Sequence, residues 1–86
     1  MSTFKAQILT PEGTLFEGNV TGVQMPGELG SFEVKFNHAP LVSTLEKGSV
    51  LVRIDKSDDK SFDITGGFVE VNQNNLTLLA ESATEA

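Results

Sequence analysis

Side chains able to do chemistry are few in this chain of 86 residues. It has one histidine, His38, and no cysteine. A thiol nucleophile, a disulfide and a thiolate metal site are therefore excluded, and so is a metal centre built on several histidines. Paired carboxylates are the remaining raw material. Asp58-Asp59 could in principle hold a cation or share a proton. They sit, however, in a wholly polar stretch between Lys56 and Lys60, where Asp favours a turn and nothing converges on it. Glu12 and Glu17 read as similar surface carboxylates. No nucleophile elbow, zinc-binding histidine pair or phosphate loop occurs. Gly27-x-x-Gly30 is too short for a dinucleotide fingerprint, and no helix follows it. Catalysis needs a base and a group that orients it. The sequence offers neither, so we expect no catalytic, cofactor-binding or metal-ligating residue, no cofactor, and no independent hydrolase.

Two other features stand out. His38 lies beside Ala39-Pro40, where it either hydrogen-bonds its own loop or lies on a contact surface. Gly66-Gly67-Phe68 places two glycines inside an apolar stretch, which weakens a strand. Something should require the missing side chains: a bend at a corner of the fold, a flat surface on which a partner lies, or both.

The chain is one domain. A domain this short buries only about 60–65% of the surface its unfolded chain exposes, so packing alone leaves it marginal unless a partner helps. Acidic residues outnumber basic ones, 12 to 6, for a formal net charge of −6. That balance argues against a nucleic-acid binder, which needs a basic stripe, and favours a basic or neutral partner. No apolar run approaches the roughly 18 residues of a membrane span. The start, Met1-Ser2-Thr3-Phe4-Lys5, lacks the pattern of a signal peptide.

The elements that must position these residues are short. Glycine and proline cut the chain repeatedly, and between them lie β-branched and aromatic runs with two-residue alternation, roughly eight to ten strands and no long helix. Phe4, Ala6 and Ile8 share a face. Pro11-Glu12-Gly13 reads as a type I turn, and Gly18 as a bulge. Asn19–Met25 reads as one strand. Phe32, Val34 and Phe36 alternate with Glu33 and Lys35. Val50, Val52 and Ile54, then Phe62 and Ile64, then Leu76, Leu78 and Ala80 continue the pattern. Leu9, Val20, Leu51, Val69, Val71 and Leu79 fall opposite the clearer core stripes, as bend residues or as an exposed apolar patch of the kind that marks an interface. Residues 1–80 form the folded domain, and the acidic tail 81–86 is expected to fray.

Thr10-Pro11-Glu12-Gly13-x-Leu15-Phe16-Glu17-Gly18-x-Val20-x-x-Val23 resembles the opening of the epsilon subunit of F-type ATP synthases, called delta in mitochondria. Pro26-Gly27-x-x-Gly30-x-Phe32, Asn37-His38-Ala39-Pro40-Leu41-Val42 and Lys47-Gly48 follow in family order. So do Gly66-Gly67-Phe68-Val69-Glu70-Val71 and Asn75-x-Thr77-x-Leu79-Ala80-Glu81-Ser82-Ala83. Together they cover nearly the whole chain. The resemblance implies an all-β flattened sandwich or barrel of about ten short strands. It implies a non-catalytic place in the rotor stalk, clamped to the gamma subunit and seated on the c-ring, indirectly serving the alpha/beta hexamer. There the domain would couple ring rotation to the gamma shaft, and so ion flow to ATP synthesis. It would lie at the cytoplasmic face of a bacterial inner membrane, without inserting into the membrane. By motif carry-over, Glu28, Ser31 and His38 are expected to face the c-ring, and Gly66, Gly67 and Phe68 the gamma subunit.

Two departures bear on this expectation. Where the family commonly has Gly and Pro between Phe32 and His38, this chain has Glu33 and Phe36, so a more regular strand is expected. Most family members also continue past Ala83 into a helical hairpin that inhibits hydrolysis or senses ATP. A short form without that hairpin is expected here, a trimmed chain being the other reading. Because residues 81–86 reach at most about 20 Å, the domain is expected to couple but not to inhibit by hairpin insertion. A free-standing β-sandwich adaptor, binding an unrelated protein through the same patch, is the alternative from another class.

Overall fold

The computed structural model describes residues 2–86. Ten strands follow one another without a helix among the described residues. They are β1 (Phe4–Thr10), β2 (Gly13–Val20), β3 (Gly22–Gly27), β4 (Gly30–Lys35), β5 (Leu41–Leu45), β6 (Gly48–Arg53), β7 (Lys60–Ile64), β8 (Gly67–Asn72), β9 (Asn75–Ala80) and β10 (Ala83–Glu85). The hydrogen-bonded order is β10-β7-β6-β3-β5-β8-β9-β1-β2, with β4 on the other edge of β3.

The link between β3 and β5 is one residue pair, Gly27 with Leu45, supported by the Glu46 N–H donating to the Pro26 carbonyl at 2.8 Å. There the strand order folds back on itself. β4, β3, β6, β7 and β10 form one layer, and β5, β8, β9, β1 and β2 the other. One buried cluster draws on both layers: Val23, Met25, Val34, Val52 and Phe62 from the first, Ala6, Ile8, Val69, Leu76 and Leu78 from the second. This is the expected all-β sandwich, with inward residues alternating along each strand. Every pairing is antiparallel except β1 with β9, which is parallel.

Several local expectations are corrected. Asn19–Met25 is not one strand. Val20 and Val23 are both fully buried, a spacing of three that continuous alternation forbids. The chain breaks at Thr21, whose N–H and hydroxyl both donate to the Arg53 carbonyl, at 2.8 and 3.2 Å. The irregularity in the first hairpin is not at Gly18, which pairs regularly with Ala6. Ile8 pairs with Phe16 and Leu9 with Thr14, leaving Leu15 as the extra residue of a bulge. β4 pairs with β3 at every residue from Gly30 to Lys35, the regular strand expected there. Phe36, however, lies beyond it, exposed, ahead of Asn37 at φ 63°. Of the apolar residues left open by the sequence, Val20, Val69 and Val71 are core, while Leu79 is exposed.

The tail does not fray throughout. Ala83, Thr84 and Glu85 pair with Ile64, Asp63 and Phe62, and the Ala86 N–H donates to the Ser61 carbonyl at 2.8 Å. Without β10 the outer edge of β7 would present unpaired backbone groups.

Strand register sorts the turns into two ends. Gly27 pairs with Gly30 and Leu45, Leu45 with Gly67, and Gly67 with Ala80. The turns after β1, β3, β5 and β9 and the β7–β8 junction therefore lie at one end. Lys35 and Arg53 both pair with Gly22, and Asn72 with Asn75. They mark the other end, together with the loops after β4, β6 and β8.

Candidate functional site

The described residues hold no buried polar or charged side chain and no group of three or more His, Cys, Asp or Glu placed to bind a metal. Among the described residues no helix is long and apolar enough to cross a membrane. Asp59 meets Arg53, the last residue of β6, at 3.6 Å with both side chains substantially exposed, a surface ion pair.

Glu28 and Leu29 form the tip of the β3–β4 hairpin, and Leu29 is fully exposed. Glu28 and Ser31 flank a groove of about 660 Å³ whose opposite wall is Leu41–Thr44 of β5. Thr44 also borders a shallower hollow of about 500 Å³ that contains Gly66, Gly67, Phe68 and Leu79. Two of the sets inferred from sequence, Glu28 with Ser31 and Gly66-Gly67-Phe68, thus adjoin across β5 at one end of the sandwich.

His38 does not join them. Its N–H donates to the Lys35 carbonyl at 3.2 Å, so it sits at the far end of β4. That is about 13 Å along the strand from Ser31 at roughly 3.3 Å per residue. Its Nδ1 lies 2.7 Å from the Ala39 carbonyl. A carbonyl only accepts, so Nδ1 donates in this contact. The loop bond expected from the neighbouring Ala39-Pro40 is present, on a side chain that is exposed.

Gly67 has a structural reason of its own. A Cβ there would lie 2.1 Å from the Leu79 carbonyl oxygen and 2.9 Å from the Ala80 Cα. The missing side chain is required by β9, which crosses in that space. At Gly66 the nearest atom is the end of the Glu81 side chain, 3.3 Å away.

Register reveals a row that sequence reasoning only half found. Thr44 pairs with Phe68, Phe68 with Leu79, and Leu79 with Leu9. Phe68 and Leu79 are 39% and 41% exposed, so the row is an apolar stripe on the outer face of the second layer. Its signal in the sequence was that Leu9 and Leu79 fall off the core stripes. Their adjacency depends on the parallel β1–β9 pairing, which no local pattern announces. The next row outward, Glu70, Thr77, Gln7 and Glu17, is polar, and Gln7 Nε2 donates to Glu17 at 2.9 Å.

Charge is sorted as well. Glu12, Glu28, Glu46 and Glu81 occupy turns at the Gly27 end, and none makes an ion pair among the described residues. Lys47 is the one basic residue in those turns.

The comparisons with known proteins agree with this architecture. Residues 3–86 match the family described as "ATP synthase, Delta/Epsilon chain, beta-sandwich domain". An ATP synthase epsilon chain of Caulobacter vibrioides is 46% identical over 86 residues, covering 100% of this chain and 99% of that one. One from Chlorobium limicola is 41% identical over 81 residues, covering 94% and 92%. Against an epsilon chain of Xylella fastidiosa, 37% identical, this chain spans 61% of the relative's length. Among solved structures, a chain of the Euglena gracilis mitochondrial ATP synthase superposes with a TM-score of 0.92 at 17% identity, covering 99% of this chain and 54% of that one. That likeness supports the fold, and the sequence match supports the family: the chain belongs to the delta/epsilon family of ATP synthase subunits, as its β-sandwich domain.

Proposed function

We propose that this domain is a non-catalytic coupling piece of the rotor. The apolar row Phe68–Leu79–Leu9 lies against the gamma shaft, and the acidic end bearing Glu28 and Ser31 rests on the c-ring. The observation that carries this reading is that the exposed apolar row and the unpaired acidic turns adjoin across β5. A domain with that pairing can grip an apolar shaft and a polar ring surface at once, and so turn with both. Desolvating the apolar row supplies affinity, while four unpaired carboxylates at one end favour a cationic or neutral seat and reject an acidic one.

His38 was expected beside Glu28 and Ser31 at the ring, but it lies at the opposite end of β4 from Ser31, so it stands outside this ring contact. The complex so assembled would sit at the cytoplasmic face of a bacterial membrane and couple ion flow to ATP synthesis.

Charge reversal tests the ring contact. Glu28→Lys should leave the domain folded and bound to gamma while lowering ion-driven ATP synthesis in reconstituted vesicles. Unchanged synthesis with Glu28→Lys and Ser31→Trp together would refute the ring contact. Failure of gamma and the c-ring to co-purify with the chain would favour a free-standing adaptor.

A further inference from the structure

The two sides of the sandwich end differently. On one, the Phe16 ring of β2 packs on the Phe62 ring of β7 with centroids 6.2 Å apart, bridging the layers. On the other, the groove of about 660 Å³ runs between the β3–β4 hairpin and β5. Phe32 and Leu41 line it and are only half-buried.

β5 pairs with β8 from Leu41 to Leu45 but meets β3 at Leu45 alone. Its other edge is therefore open from Leu41 to Thr44. The Glu46 N–H points to β3, and backbone groups alternate in direction along a strand. Val42 and Thr44 thus turn theirs to the groove, while Leu41, Ser43 and Leu45 turn theirs to β8. The Thr44 carbonyl accepts the Ser43 hydroxyl at 3.2 Å. The Val42 N–H and carbonyl and the Thr44 N–H are left without a protein partner among the described residues.

The other sheet margins are defended. β4 carries Glu33 and Lys35, β2 carries Glu17 and the Leu15 bulge, and β10 has three residues. Charge, bulges and shortness keep an edge from pairing. Leu41-Val42-Ser43-Thr44 has no charge, no bulge and no internal proline, so its free edge is a template for another strand.

We propose that this edge takes up an extended segment of the gamma subunit as an added strand. Two observations name the occupant. The free groups are backbone donors and acceptors at strand spacing, which an extended polypeptide matches. Thr44 also pairs with Phe68, whose row runs on to Leu79 and Leu9. A strand added to β5 is next in that row and belongs to the partner that covers it. The inference therefore rests on the reading of this row as the shaft contact. Apolar side chains of the segment would enter beside Phe32 and Leu41, and an acidic one would be repelled by Glu28 and Glu46.

The test titrates the whole chain against purified gamma. Val42→Pro deletes the free N–H but no ladder bond, and proline is tolerated where the N–H faces away from the sheet. Val42→Thr keeps the N–H and the strand preference while changing the exposed side chain. Val42→Pro should weaken binding about tenfold, through one lost hydrogen bond and a ring in the path of the added strand. Val42→Thr should change it little.

Equal weakening by both variants makes Val42 an ordinary side-chain contact and overturns strand addition. Unchanged binding in Val42→Pro overturns it too. If Phe68→Ala then weakens binding in the same titration, the shaft reading stands without the added strand; if it does not, both fall. Should Val42→Pro melt well below the parent, amide exchange of the parent decides. Slowed exchange at Val42 and Thr44 on adding gamma supports the added strand, and unchanged exchange overturns it. Light scattering of the chain alone tests the remaining occupant: a parent dimer that Val42→Pro dissolves gives the edge to a second copy and overturns the gamma assignment.

Discussion

Arg53 on β6 and Glu33 on β4 are ion-paired across an intervening strand. Arg53 Nε donates to Glu33 Oε2 at 2.8 Å, while β3 lies between their strands. The two side chains meet over Gly22, where a Cβ would lie 2.6 Å from the same Oε2. Glu33 stands where the related pattern commonly has glycine, and Gly22 leaves the room this replacement needs.

The pair makes a modest, salt-sensitive contribution. Glu33 is partly buried and Arg53 more open, so Glu33→Gln should cost about 1 kcal/mol or less. Urea unfolding at low and high salt checks this, since the difference from the parent should shrink as salt rises. Gly22→Ala displaces the carboxylate and should cost a similar amount. Combined with Glu33→Gln it should add little.

Gly67→Ala should be far more damaging. The clash is with the backbone of β9, and no side chain can rotate out of the way. A loss of about 2 kcal/mol or more is expected, seen as a lower urea midpoint of the isolated domain. A midpoint equal to that of the parent would show that β8 and β9 can separate there without cost.

Phe68 and Leu79 should behave in the opposite way. Both are substantially exposed, so Phe68→Ala and Leu79→Ser should shift stability by about 1 kcal/mol at most. Their binding to gamma should fall about tenfold or more each if the row is a central contact. Titration of the purified chain against gamma, alongside a thermal melt, separates the two effects.

Removal of residues 83–86 should uncover the outer edge of β7. The Lys60–Glu85 pair at 3.5 Å and the β10 ladder are lost together. The shortened chain should melt lower and self-associate with rising concentration, because an open strand edge pairs with its like. Light scattering over a concentration series reads this directly.

The sequence was most legible where structure is local. Phe4-Ala6-Ile8, Val50-Val52, Phe62-Ile64 and Leu76-Leu78-Ala80 alternate as expected and face the core. Legibility failed where a distant residue sets the geometry. The break at Thr21 depends on the Arg53 carbonyl, and the strand from Ala83 depends on the free edge of β7. The surface divides similarly. The His38 loop bond is a neighbour effect and could be anticipated. That His38 stands at the opposite end from Glu28 follows only from the register of β3, β4 and β5. The Phe68–Leu79–Leu9 row needs the pairing of β1 with β9.

That parallel pairing also sets an order of assembly. Phe4–Thr10 finds its β9 partner only after Asn75–Ala80 is available, almost a full chain length later. Loop closure over such a distance is entropically unfavourable, and folds dominated by distant pairings form in milliseconds to seconds. A β1–β2 hairpin formed before β9 is in place would leave the β9 edge of β1 without its backbone partners.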